Sequence, residues 1–121
     1  MYTGIRVKDL DRSIDFYTRV LGMKLTGRAK IQATKGEVAG LASEDGGHEL
    51  ELNFYPKGSR FATRYLAGHG LDHLAFRVED IDRAIREAEE AGYPPVLEMK
   101  TEKSRWVYIV DPNGIYIELF A

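Results

Sequence analysis

Polar and apolar positions alternate from the start of the chain, with Thr3, Ile5 and Val7 on one side and Tyr2, Gly4 and Arg6 on the other. A period of two is that of a half-buried strand. From Leu10 the period lengthens: Leu10, Ile14, Tyr17 and Leu21 recur at helical spacing, behind Asp9 as a candidate N-cap and ahead of Gly22 as a left-handed stop. Met23 to Gly27 can open a second strand, whereas Arg28 to Gly36 follows neither period. Glu37–Ser43 and His48–Tyr55 alternate again, joined across Glu44-Asp45-Gly46-Gly47, whose residues suit a hairpin turn.

The order then recurs. Residues 71–78 alternate, and Asp80 is positioned to cap a helix whose apolar face is Ile81, Ala84, Ile85 and Ala88, with Gly92 and Pro94-Pro95 ending it. Val96–Met99 reads as an edge strand, and Arg105–Val110 with Ile115–Phe120 as a hairpin across Asp111-Pro112-Asn113-Gly114. Ile5–Ile14 aligns without a gap to Phe76–Ile85, with Arg, Val, Asp, Asp, Arg and Ile recurring in place at an offset of 71 residues. Gly47 and Glu51 match Gly114 and Glu118 at an offset of 67, so the second unit is about four residues shorter.

These patterns predict an α+β fold of two tandem βαβββ units. Residues 1–55 form the first unit, 56–70 (Pro56, three Gly and several basic residues) a linker, and 71–121 the second, all within one structural domain. Neither unit alone has the length or strand count of a comfortable independent domain. Two such units would pair as a curved mixed sheet around a cavity, helices outside.

Composition narrows the function. A net charge of −2 argues against nucleic-acid binding. The absence of cysteine excludes disulfides and thiolate chemistry. No apolar run reaches the ~20 residues of a membrane span, and the N-terminus lacks a signal-peptide core, so a cytoplasmic protein acting on a small molecule is the expectation.

Strand parity places the chemistry. Leu50 and Leu52 belong to the core side of their strand, which leaves Glu49, Glu51, Asn53 and Tyr55 opposite. By the same count Tyr116, Glu118 and Phe120 oppose Ile115, Ile117 and Leu119, while His73, Ala75 and Arg77 oppose Leu74, Phe76 and Val78. The repeat makes Tyr2 the equivalent of His73, and Glu51 that of Glu118. Taken singly, each Glu reads as a solvated strand residue. Taken as a symmetric set, two carboxylates and an imidazole suit one divalent ion such as Zn, Ni, Co, Mn or Fe. Arg6 and Arg77, also equivalent, point to the same side, either to bind an anionic substrate or to pair with a nearby Glu. Tyr17, Trp106 and Tyr108 read first as packing residues, His48 as a frayed strand end and His69 as an exposed linker residue. No phosphate loop, nucleophile elbow or His-Glu-x-x-His motif is present.

Ile5–Ser13 with Phe16-Tyr17 and Val20-Leu21-Gly22-Met23, Leu50-Glu51-Leu52, Asp72-His73-Leu74-Ala75-Phe76, and Asp111-Pro112-Asn113-Gly114 with Ile117-Glu118-Leu119 together resemble the vicinal oxygen chelate superfamily. This is the glyoxalase I, bleomycin resistance and extradiol dioxygenase group, and the bacterial-type glyoxalase I branch (lactoylglutathione lyase) is the most similar. The resemblance covers essentially the whole chain. It implies metal ligands at Glu51, His73 and Glu118, with Tyr2 at the fourth position where glyoxalase I has a His. A phenol ligates well only once ionised, far below its usual pKa near 10. Tyr55 stands where that branch has an Asn contacting glutathione, although Arg6 and Lys100 match positions contacting the tripeptide's carboxylates. The departures at Tyr2 and Tyr55 weaken the case for glutathione as co-substrate.

The resemblance implies a metal-dependent lyase and a homodimer. Glu118 would be the base that moves a proton between neighbouring carbons, Glu51 its symmetric counterpart, and Arg6, Arg77, Lys100 and Trp106 would line the substrate. The alternatives are a metal-free, antibiotic-binding protein of the bleomycin-resistance type, using Trp106, Tyr108 and Phe120, and then a coenzyme A-thioester epimerase or a ring-cleaving dioxygenase.

Overall fold

The computed structural model describes residues 2–59, 61–62, 64–68, 71 and 73–121; the reading of His69 therefore lies outside the described residues. The chain divides into two compact units between Tyr65 and Leu66, inside the stretch expected to link them.

In the first unit, β1 (Thr3–Arg6) leads into α1 (Leu10–Asp15), followed by β2 (Lys24–Ile31), β3 (Gly36–Ala42) and β4 (Glu49–Phe54). The sheet order is β1-β4-β3-β2, with β1 parallel to β4 and the remaining pairs antiparallel. The second unit repeats the plan with β5 (His73–Arg77), α2 (Ile81–Glu90), β6 (Leu97–Lys100), β7 (Arg105–Val110) and β8 (Tyr116–Phe120). Its order, β5-β8-β7-β6, is the same arrangement, again with the first strand parallel to the last. A parallel pair needs a crossover, and in each unit the helix lies within that crossover.

The helix starts form as their sequences require. The Asp9 carboxylate accepts from the Arg12 backbone N–H at 3.0 Å, and Asp80 from that of Arg83 at 3.0 Å, each satisfying a donor that has no partner within the helix. α1 departs from the expected helix over Leu10–Leu21. After Asp15 it widens into a π-helical turn, Phe16–Val20, before Gly22 closes it at φ +69°. The wider turn buries two consecutive aromatic residues: Phe16 and Tyr17 are both fully buried and meet edge to face, 5.2 Å between centroids. A regular 3.6-residue period cannot keep two consecutive residues at the centre of one face, so Phe16 escapes the periodicity count.

The unplaced stretch Arg28–Gly36 resolves into the end of β2, a turn over Gln32–Lys35, and the first residue of β3. All eight residues of β2 are exposed, so this edge strand carries no apolar alternation to read. β6 is exposed throughout as well, whereas β4, β7 and β8 alternate. Ile5, Leu41, Leu50 and Leu52 are buried on the helix side of the first sheet, as are Val107, Ile109, Ile117 and Leu119 on that of the second. The turn at 111–114 is held from within: Asp111 Oδ1 accepts from the N–H groups of Asn113 (2.8 Å) and Ile115 (2.7 Å), and Gly114 takes φ +86°.

Candidate active site

Each sheet has a helix-covered face and an opposite face, and strand register fixes which side chains share the latter. In the second unit Ala75 lies beside Glu118 on β8, and Glu118 beside Tyr108 on β7. His73 lies beside Tyr116 at the head of β5. The result is a three-residue cluster. His73 Nε2 lies 3.6 Å from Glu118 Oε2, the Tyr108 hydroxyl donates to the same oxygen, and the Tyr108 ring meets the His73 imidazole edge-on with centroids 5.8 Å apart. The Glu118 side chain is only 15% exposed although it faces away from the core. A carboxylate with that little access to water depends on its protein neighbours for hydrogen bonds.

His73 and Glu118 suit a divalent ion in kind, an imidazole nitrogen beside a carboxylate oxygen. They also suit it in spacing. Bonds of about 2.1 Å put two ligands on one ion roughly 3.0–3.4 Å apart, close to the 3.6 Å between these atoms. Among the described residues no three His, Asp or Glu side chains converge as a ready ligand cluster. Glu51 and Tyr2 belong to the first unit, where Glu51 pairs with Gly4 on β1 and Tyr2 is 57% exposed.

The first unit places Arg6 at the end of β1, paired with Asn53. There the Arg6 guanidinium and the Lys8 ammonium both lie 5.5 Å from the centre of the Tyr65 ring. They line a cavity of about 190 Å³ with Val7, Phe54, Tyr55 and Ala62. Among its described lining residues two are cations and none is a carboxylate.

Lys100 does not join the His73–Glu118 face. It pairs with Arg105 at the end of the β6–β7 hairpin, on the helix side, where its charge helps hold the Asp82 carboxyl below its ordinary range. The main cause of that lowering is the Arg105 guanidinium, which donates to Asp82 at 2.5 Å and to Glu98 at 2.6 Å. Parity explains the difference: Met99, not Lys100, shares a face with Trp106. Trp106 is half-buried there beside Phe120, and Arg77, at the far end of β5, is exposed. Tyr108 was read as packing, yet it bonds directly to Glu118. Counting back across the Asp111–Gly114 turn, with Val110 opposite Ile115, sets Tyr108 against Ile117; the structure instead pairs Val110 with Tyr116 and so brings Tyr108 beside Glu118. Lys8 and Tyr65 carried no signal, because a loop brings them together.

The glyoxalase/bleomycin resistance protein/dioxygenase superfamily profile matches residues 1–119. The chain belongs to this superfamily. It is 36% identical to an uncharacterized protein, YwbC, of Bacillus subtilis, over 98% of this chain and 94% of the relative. A probable lactoylglutathione lyase of Vibrio cholerae is 32% identical over 98% and 87% of the respective chains. Among solved structures, the trypanothione-dependent glyoxalase I of Leishmania major superposes with a TM-score of 0.76 at 35% identity, covering 98% of this chain and 82% of that one. The repeated βαβββ plan is thus the superfamily's.

Proposed function

We propose that this chain is a divalent-metal-dependent lyase of the glyoxalase I kind, isomerising the hemithioacetal of an α-ketoaldehyde and a thiol to a hydroxyacyl thioester. The observation that carries the reading is Glu118: a nearly buried carboxylate on the face away from the core, with an imidazole 3.6 Å from its Oε2. His73 and Glu118 would be donors to the ion from the second unit, with Glu51 and, at the weakest position, Tyr2 as their repeat equivalents in the first. A divalent ion held there supplies Lewis acidity, drawing electron density from neighbouring substrate oxygens.

The remaining work belongs to the side chains. Glu118 takes the proton from the hemithioacetal carbon, and the C–H electron pair moves toward the adjacent carbonyl to give an enediol(ate). Returning the proton to the neighbouring carbon completes the thioester, with no net oxidation and no leaving group. Arg6 and Lys8 would bind the anionic end of the thiol. One relative is named for glutathione and another for trypanothione, so the shared element is the hemithioacetal rather than one thiol. Arg77 and Trp106 remain candidates for the substrate's rim, and a homodimer is the expected assembly.

The test is to load purified protein with Ni, Co, Zn or Mn, measure bound metal, and assay thioester formation from methylglyoxal premixed with a panel of thiols. Stoichiometric metal with turnover that Glu118→Gln abolishes is the expected result. No stoichiometric metal, or full activity in Glu118→Gln, refutes the proposal.

A further inference from the structure

The geometry points to Tyr108 as a positioning residue that fixes the Glu118 carboxylate. β7 and β8 place the two residues directly side by side, both on the face away from α2. A glutamate side chain turns about three bonds, and ordering it costs rotamer freedom. Something must hold it if it is to act as a base from one place. The Tyr108 hydroxyl donates to Oε2, and the His73 imidazole approaches that same oxygen, so neither contact uses Oε1. A carboxylate accepts along about four lone-pair directions, and these two contacts leave Oε1 for further bonds. Tyr108 is itself held, because its ring lies edge-on to His73 and its strand neighbours Val107 and Ile109 are fully buried. The phenol thus links a rigid strand to a long, flexible base.

The catalytic consequence rests on the lyase reading; the positional one does not. A base displaced by about 1 Å can lose on the order of 10²-fold in rate. Tyr108→Phe keeps the ring against His73 and removes only the donor. In the metal-free protein, side-chain relaxation of isotopically labelled Glu118 should show its order parameter falling by about half in Tyr108→Phe, with the melting temperature within about 4 °C of wild type. In the metal-loaded protein, kcat should drop roughly 10–100-fold while KM changes less than about threefold. Nickel affinity, measured by calorimetry, should fall severalfold as a ligand loses its support. Unchanged Glu118 order in Tyr108→Phe overturns the proposal whether or not the wild type turns over any hemithioacetal. Lost order with unchanged kcat and nickel affinity overturns the functional role. A wild type that takes up no metal and converts no substrate refutes the lyase reading, while the order measurement still decides whether Tyr108 holds Glu118.

Discussion

Ile117 and Glu118 are consecutive residues on β8 and face opposite sides of its sheet, so substituting them one at a time separates packing from chemistry. Ile117 is fully buried. Ile117→Ala removes three carbons, about 0.8 kcal/mol each in transfer alone, and adds a cavity that the neighbouring Ile109 and Leu119 fill only partly. A loss of about 3 kcal/mol is a middle value for such a change. At roughly 2.1 cal/mol/K of unfolding entropy per residue, that lowers the melting temperature of a chain this size by about 12 °C. Glu118→Gln leaves the core untouched, and its amide oxygen still accepts from Tyr108, so the cost is the charge-assisted part of one hydrogen bond, about 1 kcal/mol or 4 °C. Thermal melts followed by circular dichroism supply the first measurement. Turnover of a hemithioacetal well below both melting temperatures supplies the second. Ile117→Ala should stay active and Glu118→Gln should lose at least about 10²-fold in kcat, the usual scale of a missing general base. Equal destabilisation by the two substitutions would refute the face assignment on which the candidate site is built.

The Asp82–Arg105 pair should make stability fall at acid pH. Arg105 holds the Asp82 carboxyl below its ordinary value near 3.8, so the pair's contribution is complete above that pH and is lost as pH drops through the lower folded-state value. Asp82→Asn should flatten the acid limb of the melting-temperature profile, by a small amount because the pair is exposed to solvent; an unchanged acid limb would count against the linkage. Gly22→Ala should cost about 1 kcal/mol by chemical denaturation, because Gly22 sits at φ +69° although nothing within 4 Å would meet a new methyl group. Gly27→Ala, equally uncrowded but without the positive φ, is the control, and equal costs would show that backbone strain is not the cause. Arg6→Ala and Lys8→Ala should each raise KM for an anionic hemithioacetal several-fold with kcat little changed, and a loss in kcat alone would place them elsewhere in the reaction.

Much of this was legible before the structure, for a physical reason. Period-two alternation and the 71-residue repeat report burial on one face of each sheet, and burial is what Leu50, Leu52, Ile117 and Leu119 record. Both helix caps could be read because an aspartate ahead of an apolar stripe satisfies donors that nothing else reaches. Of β2 only the start, within Met23–Gly27, could be read, for the converse reason: an exposed edge strand buries nothing and so leaves no pattern. Lys100 rested on a family position alone, which carries no strand parity, and on β6 that parity turns it toward α2. The π-helical turn after Asp15 escaped because periodicity assumes a regular helix.

The two units also show how far the repeat constrains charge. In the first, Arg28 of β2 bonds Asp11 of α1 at 2.5 Å and Glu37 of β3 at 3.0 Å. In the second, Arg105 of β7 bonds Asp82 of α2 at 2.5 Å and Glu98 of β6 at 2.6 Å. Asp11 and Asp82 are repeat equivalents, but the arginine and glutamate have exchanged strands of their hairpin. Comparing the units position by position therefore hides the similarity, since Arg28 faces no arginine in its twin strand and Glu37 no glutamate. What persists is the fastening itself, a planar guanidinium bridging a helix carboxylate to a neighbouring strand. A guanidinium can serve from either strand because its fork reaches both partners from one position. The same tolerance does not extend to the opposite face. Glu51 and Glu118 keep their strand and register in both units, as expected if those carboxylates must meet something other than each other's neighbours. The charges that fasten the fold have changed strands between the units, whereas Glu51 and Glu118, the proposed ligands, have not.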